Sequence, residues 1–275
     1  MPDFNPDDYK QYDEYIVTEI EEGFRHVQLN NPKSLNAFKE STWRQYHDIL
    51  VKLDADPETN VILISSTSKR AFSSGLDLKD AIKTMASAGN VDDKERYKSL
   101  HKHIVDFQYC IGTPARINTP TIVLMNGINL GLALDIAAAC SIRVATQDAK
   151  FSIREIKIGI PADIGSLQRL PAVVNNKSLL YQYALTGGNF GPEDAVKLGF
   201  VSAVLPDLES GLAYCTELGE DISGNQTWAI KGTKASIQHI LDGGSVEQGL
   251  TNIAHYNATN IDGKFINAIR GVFKL

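Results

Sequence analysis

Long apolar runs, paired cysteines and basic stretches are all scarce in this 275-residue chain, and each shortage removes a class of function. No apolar stretch reaches 18 residues, so no helix is expected to span a membrane. The cysteines number three, Cys110, Cys140 and Cys215; they are far apart and form no Cys-x-x-Cys pair. They fit a reducing compartment and read as core residues rather than a disulfide framework. In that setting the sequons at Asn176, Asn225 and Asn257 are not expected to matter. Lysine and arginine total 27 against 33 acids, a net charge of −6, with no basic stripe. Nucleic-acid binding draws its affinity mainly from neutralised phosphates, so no nucleic-acid partner is expected. The first 15 residues carry five acids and no apolar run, which is unlike a secretory signal or an Arg-rich presequence.

Familiar catalytic motifs are missing too. The six histidines are scattered, and His101 and His103, two apart, would face different sides of a helix, so no metal site is expected. Ser73-Ser74-Gly75 is not a Gly-x-Ser-x-Gly elbow, which leaves a hydrolase triad without its nucleophile turn. The glycine-rich stretch 186–191 lacks the P-loop lysine and reads as a loop.

What the chain does hold is the make-up of an ordinary globular enzyme, with 43% hydrophobic, 22% charged and 8% aromatic residues. Its length suits one α/β unit, with room for a helical appendage. Tyr15–Glu19 and His26–Leu29 predict a β-hairpin around Glu21-Glu22-Gly23. Trp43, Tyr46, Ile49, Leu50 and Leu53 recur at helical spacing between Lys39 and Asp54. Val61–Ser65 and Thr121–Met125 are short continuous apolar runs, the mark of strands covered on both faces and hence of a parallel sheet. Residues 80–110 read as helices with a break at Gly89-Asn90. Ser141–Ala145 and Lys150–Ile153 read as further strands, and Ile164–Leu170 as a short helix stopped by Pro171. Pro192–Gly199 has proline at its start and glycine at its end, as a helix feeding a strand at Val201–Leu205 would. From 207 onward the chain reads as helical.

Three carboxylates stand out against this background: Asp135, Glu155 and Asp163, spaced 20 and 8 residues apart. The run from Gly131 to Cys140 is apolar on every helical face, so Asp135 cannot turn to water and needs a reason to be there, either a structural bond or a functional role. Glu155, between Arg154 and Lys157, could be a solvated strand-end charge. Asp163 could N-cap the helix that follows it. Asp77 reads as a ligand-loop acid or a turn residue, and Lys33 as a phosphate contact or a loop lysine. Acid/base work by carboxylates needs donors for the charge that develops on the substrate. Gly75-Leu76, after a buried strand, and Gly131-Leu132, opening a helix, are places where two backbone N–H groups could converge as an oxyanion hole.

Over nearly its whole length the sequence resembles the crotonase family, the enoyl-CoA hydratase/isomerase superfamily. The matching segments are Leu29–Ala37, Ala71–Leu78, Asn126-Gly127 through Asp135, and Thr186-Gly187 through Pro206. Within that family, the acid trio together with 161–171 is most similar to the Δ3,5-Δ2,4-dienoyl-CoA isomerases; the hydratases match at 135 and 155 and normally lack the acid at 163. The resemblance implies an α/β fold with a crotonase-like ββα spiral core (1–206) and a helical C-terminal trimerisation region (207–275), assembled as a homotrimer or homohexamer. It implies an acyl-CoA thioester substrate, coenzyme A being part of the substrate and no separate cofactor or metal being needed. The thioester carbonyl would rest between the N–H groups of Leu76 and Leu132, with Ser74, Gly75, Leu76, Asp77 and Leu78 lining the site. Glu155 and Asp163 would move protons, and Asp135 would orient or polarise. One departure is Leu132, where the family usually has glycine. The alternatives are an enoyl-CoA hydratase, a Δ3-Δ2-enoyl-CoA isomerase, or an inactive acyl-CoA-binding paralogue. The last residues, Phe273-Lys274-Leu275, share the Lys-Leu ending of the peroxisomal Ser-Lys-Leu address, which suggests the import receptor as a partner and the peroxisome over the cytoplasm.

Overall fold

The computed structural model describes residues 4–86, 92–262 and 265–266; the expected break at Gly89-Asn90 and the Phe273-Lys274-Leu275 tail lie outside them. Nine strands are present among the described residues: β1 (Tyr15–Glu21), β2 (Phe24–Leu29), β3 (Val61–Ser66), β4 (Ala71–Ser73), β5 (Thr121–Met125), β6 (Ile128–Leu130), β7 (Ile142–Thr146), β8 (Lys150–Ser152) and β9 (Ala203–Leu205). They form a six-stranded sheet in the order β1-β2-β3-β5-β7-β9 and a three-stranded sheet in the order β4-β6-β8. Only the β1–β2 hairpin is antiparallel; every other pair is parallel.

The helices are α1 (Glu40–Ala55), α2 (Leu78–Ala86), α3 (Asp93–Ile111), α4 (Thr113–Arg116), α5 (Leu132–Ala139), α6 (Ser166–Val173), α7 (Lys177–Thr186), α8 (Pro192–Leu198), α9 (Leu208–Ser223), α10 (Thr227–Leu241) and α11 (Val246–Asn260). A repeating unit runs through the centre: a large-sheet strand, then a small-sheet strand, then helix. β3-β4-α2 is the first turn, β5-β6-α5 the second, and β7-β8 with a 3-10 turn at Glu155–Ile158 and α6 the third.

The apolar runs explain the large sheet. Along β3, Val61 and Leu63 face one core cluster while Ile62 and Ile64 face the other, and all four are fully buried. On β5, Ile122 and Leu124 oppose Val123 and Met125 in the same way. Helix α1 packs Trp43, Tyr46, Ile49, Leu50 and Leu53 into the larger cluster. The other face is covered by α9 through Leu208, Leu212, Cys215, Leu218 and Ile222. The expected division at 206/207 therefore falls inside the packing of the core, since α9 is one of its layers. Beyond it α10 is tied back by Lys234, whose buried ammonium donates to the carbonyls of Pro114, Ile117 and Thr119 at 2.6, 2.6 and 2.9 Å.

Most expected elements occur within a residue or two of their positions. One differs: α6 starts at Ser166 and passes through Pro171 to Val173. Proline at its sixth position removes one backbone hydrogen bond and does not end so short a helix.

Candidate active site

The small sheet positions the site. Its strands are three residues long and adjacent, and the chain leaves each at the same end, because all three are parallel. β4 delivers Ser74-Gly75-Leu76, β6 delivers Gly131-Leu132, and β8 leads to Glu155. Ser152 on β8 accepts the Gly131 N–H at 2.9 Å, which locks two of the exits together.

The first exit is braced from the 31–38 segment. Asn36, in a left-handed conformation, donates to the Phe72 carbonyl at 2.8 Å and to Ser66 Oγ at 2.7 Å. Phe38 and Leu76 form a parallel bridge in which the Phe38 N–H donates to Gly75 O and the Asp77 N–H to Phe38 O. The intervening Leu76 N–H therefore points away from Phe38. A Cβ placed on Gly75 would lie 2.5 Å from Leu130 O and 3.6 Å from Leu132 N, so glycine is what allows the two exits to approach. Leu132 is the first residue of α5, where a backbone N–H has no partner within the helix. The left-handed angle at this turn falls on Gly131, at φ 51°, and not on Leu132. The leucine thus takes its place without backbone strain. A side chain at Gly131 would also meet Glu155 Oε1 at 2.7 Å.

Four residues into α5, Asp135 is 1% exposed in a helix buried on all sides. Its Oδ1 accepts the backbone N–H of Ser166 at 2.5 Å, the first residue of α6. Asp135 therefore satisfies the opening of α6 from across the fold. Asp163 does not: the residue preceding α6 is Gly165, and Asp163 stands two positions before that. Instead the Asp163 backbone carbonyl accepts from Gln108 Nε2 on α3, at 2.6 Å, which sets the loop against that helix.

Glu155 opens the 3-10 turn, flanked by the exposed Arg154 and Lys157. Its own Oε2 is buried without a hydrogen-bond partner among the described residues. Burial, and secondarily the negative charge of Asp135, push its carboxyl up to about 7. Burial pushes Asp135 up to about 6, against the pull of its hydrogen bonding to Ser166. Asp163 is also raised, chiefly by burial, while His103 pulls it down. All three acids are thus drawn into one electrostatic neighbourhood in which each carboxyl is raised, Glu155 and Asp135 the most. A cavity of about 480 Å³ is lined mainly by apolar residues, with Lys177 and Tyr181 among them; Ile153 and Ile156 in its wall flank Glu155, and Ala162 precedes Asp163. It is apolar and large enough for a hydrocarbon chain.

The other expected residues divide. Ser74 is half-buried, its Oγ donating to Ser34 O at 3.2 Å. Asp77 caps α2, accepting the N–H groups of Lys79 and Asp80 at 3.0 and 3.2 Å, and Leu78 is exposed. Lys33 is exposed in a 3-10 turn. Sequence reasoning missed Ser166, Gln108 and His103, none of which carries a local signal of its partner.

A family model described as Enoyl-CoA hydratase/isomerase matches residues 24–269. The chain belongs to the enoyl-CoA hydratase/isomerase family. Enzymes of this family act on coenzyme A thioesters; among the described residues no cluster of three ligating side chains could hold a metal ion. The chain is 31% identical over 246 residues to the mitochondrial Delta(3,5)-Delta(2,4)-dienoyl-CoA isomerase of Rattus norvegicus, covering 90% of this chain and 75% of that one. It is 35% identical over 238 residues to the peroxisomal Delta(3,5)-Delta(2,4)-dienoyl-CoA isomerase of Arabidopsis thaliana, covering 85% and 83%. In fold it is similar to an enoyl-CoA hydratase of Bacillus anthracis, with a TM-score of 0.81 at 19% identity over 95% of this chain and 96% of that one. Among the described residues no helix is long and apolar enough to cross a membrane.

Proposed function

We propose that this protein isomerises 3,5-dienoyl-CoA to 2,4-dienoyl-CoA. The observation that carries the proposal is the meeting of Asp163 with Asp135 and Glu155 beside an apolar cavity, at the mouth of the small sheet. The thioester carbonyl is received by the N–H groups of Leu76 and Leu132, which absorb the enolate charge as a proton leaves the carbon chain. Each such donor is worth about 3 kcal/mol. The acyl chain enters the cavity between Glu155 and Asp163. One carboxyl takes a proton near C2 and the other returns one at C6, which moves the conjugated pair of double bonds. That exchange needs one group ionised and one protonated at neutral pH, and burial with mutual repulsion supplies this condition. Asp135, bonded to Ser166, orients the loop that carries Asp163. The relatives named as dienoyl-CoA isomerases support the same reading.

The assembly belongs to the proposal too. Helix α11 has no buried residue among those described and exposes Val246 and Leu250, so a second and third copy would cover this face in a trimer or hexamer. Sedimentation of the purified protein checks it, and a monomer would remove it.

The test of the reaction is to incubate the protein with a 3,5-dienoyl-CoA and follow the absorbance of the 2,4 product, comparing wild type with Asp163→Asn. Wild-type conversion that drops by about 10²- to 10⁴-fold in the variant is expected for loss of a placed acid or base. No conversion by folded wild type, with hydration of a 2-enoyl-CoA instead, would move the protein to the hydratases.

A further inference from the structure

A second feature lies behind the Asp163 loop, on the face away from the apolar cavity. Arg169 on α6 and Arg116 at the end of α4 converge on Gly112, the residue joining α3 to α4. The point where a Gly112 Cβ would stand is 2.4 Å from Arg169 Nη2 and 2.7 Å from Arg116 Nη1. Gly165 makes room on the other side, since a Cβ there would collide with Arg169 Nη1. Two like charges are thus brought to one point, and the guanidinium groups take up the space that two missing side chains leave.

Neither guanidinium forms an ion pair among the described residues. Arg116 is held by the Tyr109 carbonyl and lies over the Tyr109 ring at 4.0 Å. Arg169 is partly buried and, among the described residues, makes one long hydrogen bond, 3.4 Å to Ile164 O, which leaves most of its five N–H donors without a partner there. They face a cavity of about 460 Å³ lined by Gln108, Gly165, Gln168, Arg169, Gln238 and Asp242. Two acids act on Arg169 without an ion pair: Asp135, which accepts the Ser166 N–H, and Asp242, which accepts from Gln238 Nε2 at 2.8 Å. A partly desolvated cation with no ion pair among the described residues is costly, and a guanidinium fork matches the oxygens of a phosphate or carboxylate.

We propose that Arg169 and Arg116, with Gly112 between them, form a binding site for a small oxyanion, separate from the acyl-CoA site. Gln168 adds an amide donor from the cavity wall. The site adjoins the Asp163 loop through Gln108, which bonds the Asp163 carbonyl.

The probe is inorganic phosphate, titrated calorimetrically into the full chain at ionic strength held constant with potassium chloride. The expected result is one saturable site per chain with Kd on the order of 1 mM. Arg169→Gln and Gly112→Ala, the latter keeping both charges but filling the niche, should each weaken binding about tenfold or more. Arg116→Gln, at an exposed position, gives the same readout should either of those fail to fold. Arg44→Gln, a surface arginine paired with Glu40, should bind as wild type does. Absence of saturable binding overturns the site, as does binding that all the niche variants retain, which would place the phosphate elsewhere. If wild type binds no phosphate but Arg169→Gln changes its sedimentation, a carboxylate of a second copy fills the niche and the free-anion site is overturned.

Discussion

The two sheets are built on opposite terms. The large one has central strands of five or six residues whose side chains are almost entirely buried, and it is held by apolar packing on both faces. The small one has strands of three residues and is held by backbone pairing and by polar braces such as Asn36 and Ser73, whose Oγ donates to Asn36 O at 2.7 Å. The first carries stability, and the second carries the residues of the proposed chemistry. Short strands leave the chain close to where it turns, which is how three separate segments deliver donors and acids to one point. The cost of crowding falls on glycines and on carboxyls that hold their protons.

That contrast can be broken from either side. The largest effect is expected from Leu63→Ala in the large sheet, which empties fully buried space and should lower stability by about 2–5 kcal/mol in denaturant unfolding. The turnover of the fraction that stays folded should be unchanged. Next comes Gly131→Ala in the small-sheet exit. Its methyl would press on Glu155 and force a non-glycine residue to a left-handed angle, so turnover should fall about 10²- to 10³-fold while most of the fold survives. A change in turnover from the first variant, or none from the second, would erase the division of labour.

Glu155→Gln sharpens the comparison through pH. Below pH 4.5 Glu155 is protonated in both states and costs nothing. Between pH 4.5 and about 7 the unfolded chain releases the proton while the folded chain keeps it, so stability falls as pH rises through that window. Asp135 acts in the same direction, between 3.8 and about 6. Removing the Glu155 charge should therefore raise stability by about 1–3 kcal/mol above pH 7 and leave it unchanged near pH 4, as read by thermal unfolding at the two pH values. The smallest effect is expected from Lys33→Ala, an exposed turn residue, within about 0.5 kcal/mol in stability. If Lys33 contacts the coenzyme A phosphates, the same variant raises KM.

Much of the architecture could be read along the chain because its signals are local. Val61–Ser65 and Thr121–Met125 announce a doubly covered parallel sheet by composition alone. The spacing of Trp43, Tyr46, Ile49, Leu50 and Leu53 announces α1 in the same way. Of the small sheet only β8 could be read along the chain; Ala71–Ser73 and Ile128–Leu130 are too short for a period to show. The extension of α6 past Pro171 escaped because proline was weighed as a stop, whereas one missing bond is tolerable in a helix packed on its neighbours.

The candidate site divides along the same line. Sequence by itself determined that Asp135 had to be buried, since every residue around it on α5 is apolar, and that Gly75 and Gly131 mark turns where backbone donors are free. It also set the spacing of the three acids. Only the tertiary structure decided what those acids do to one another. Asp135 meets Ser166 31 residues away, Glu155 lies against Gly131, and Gln108 draws in the Asp163 loop. These are contacts between segments that no local pattern links. Burial and repulsion, which set where the protons sit, depend on distances through space and not on positions along the chain.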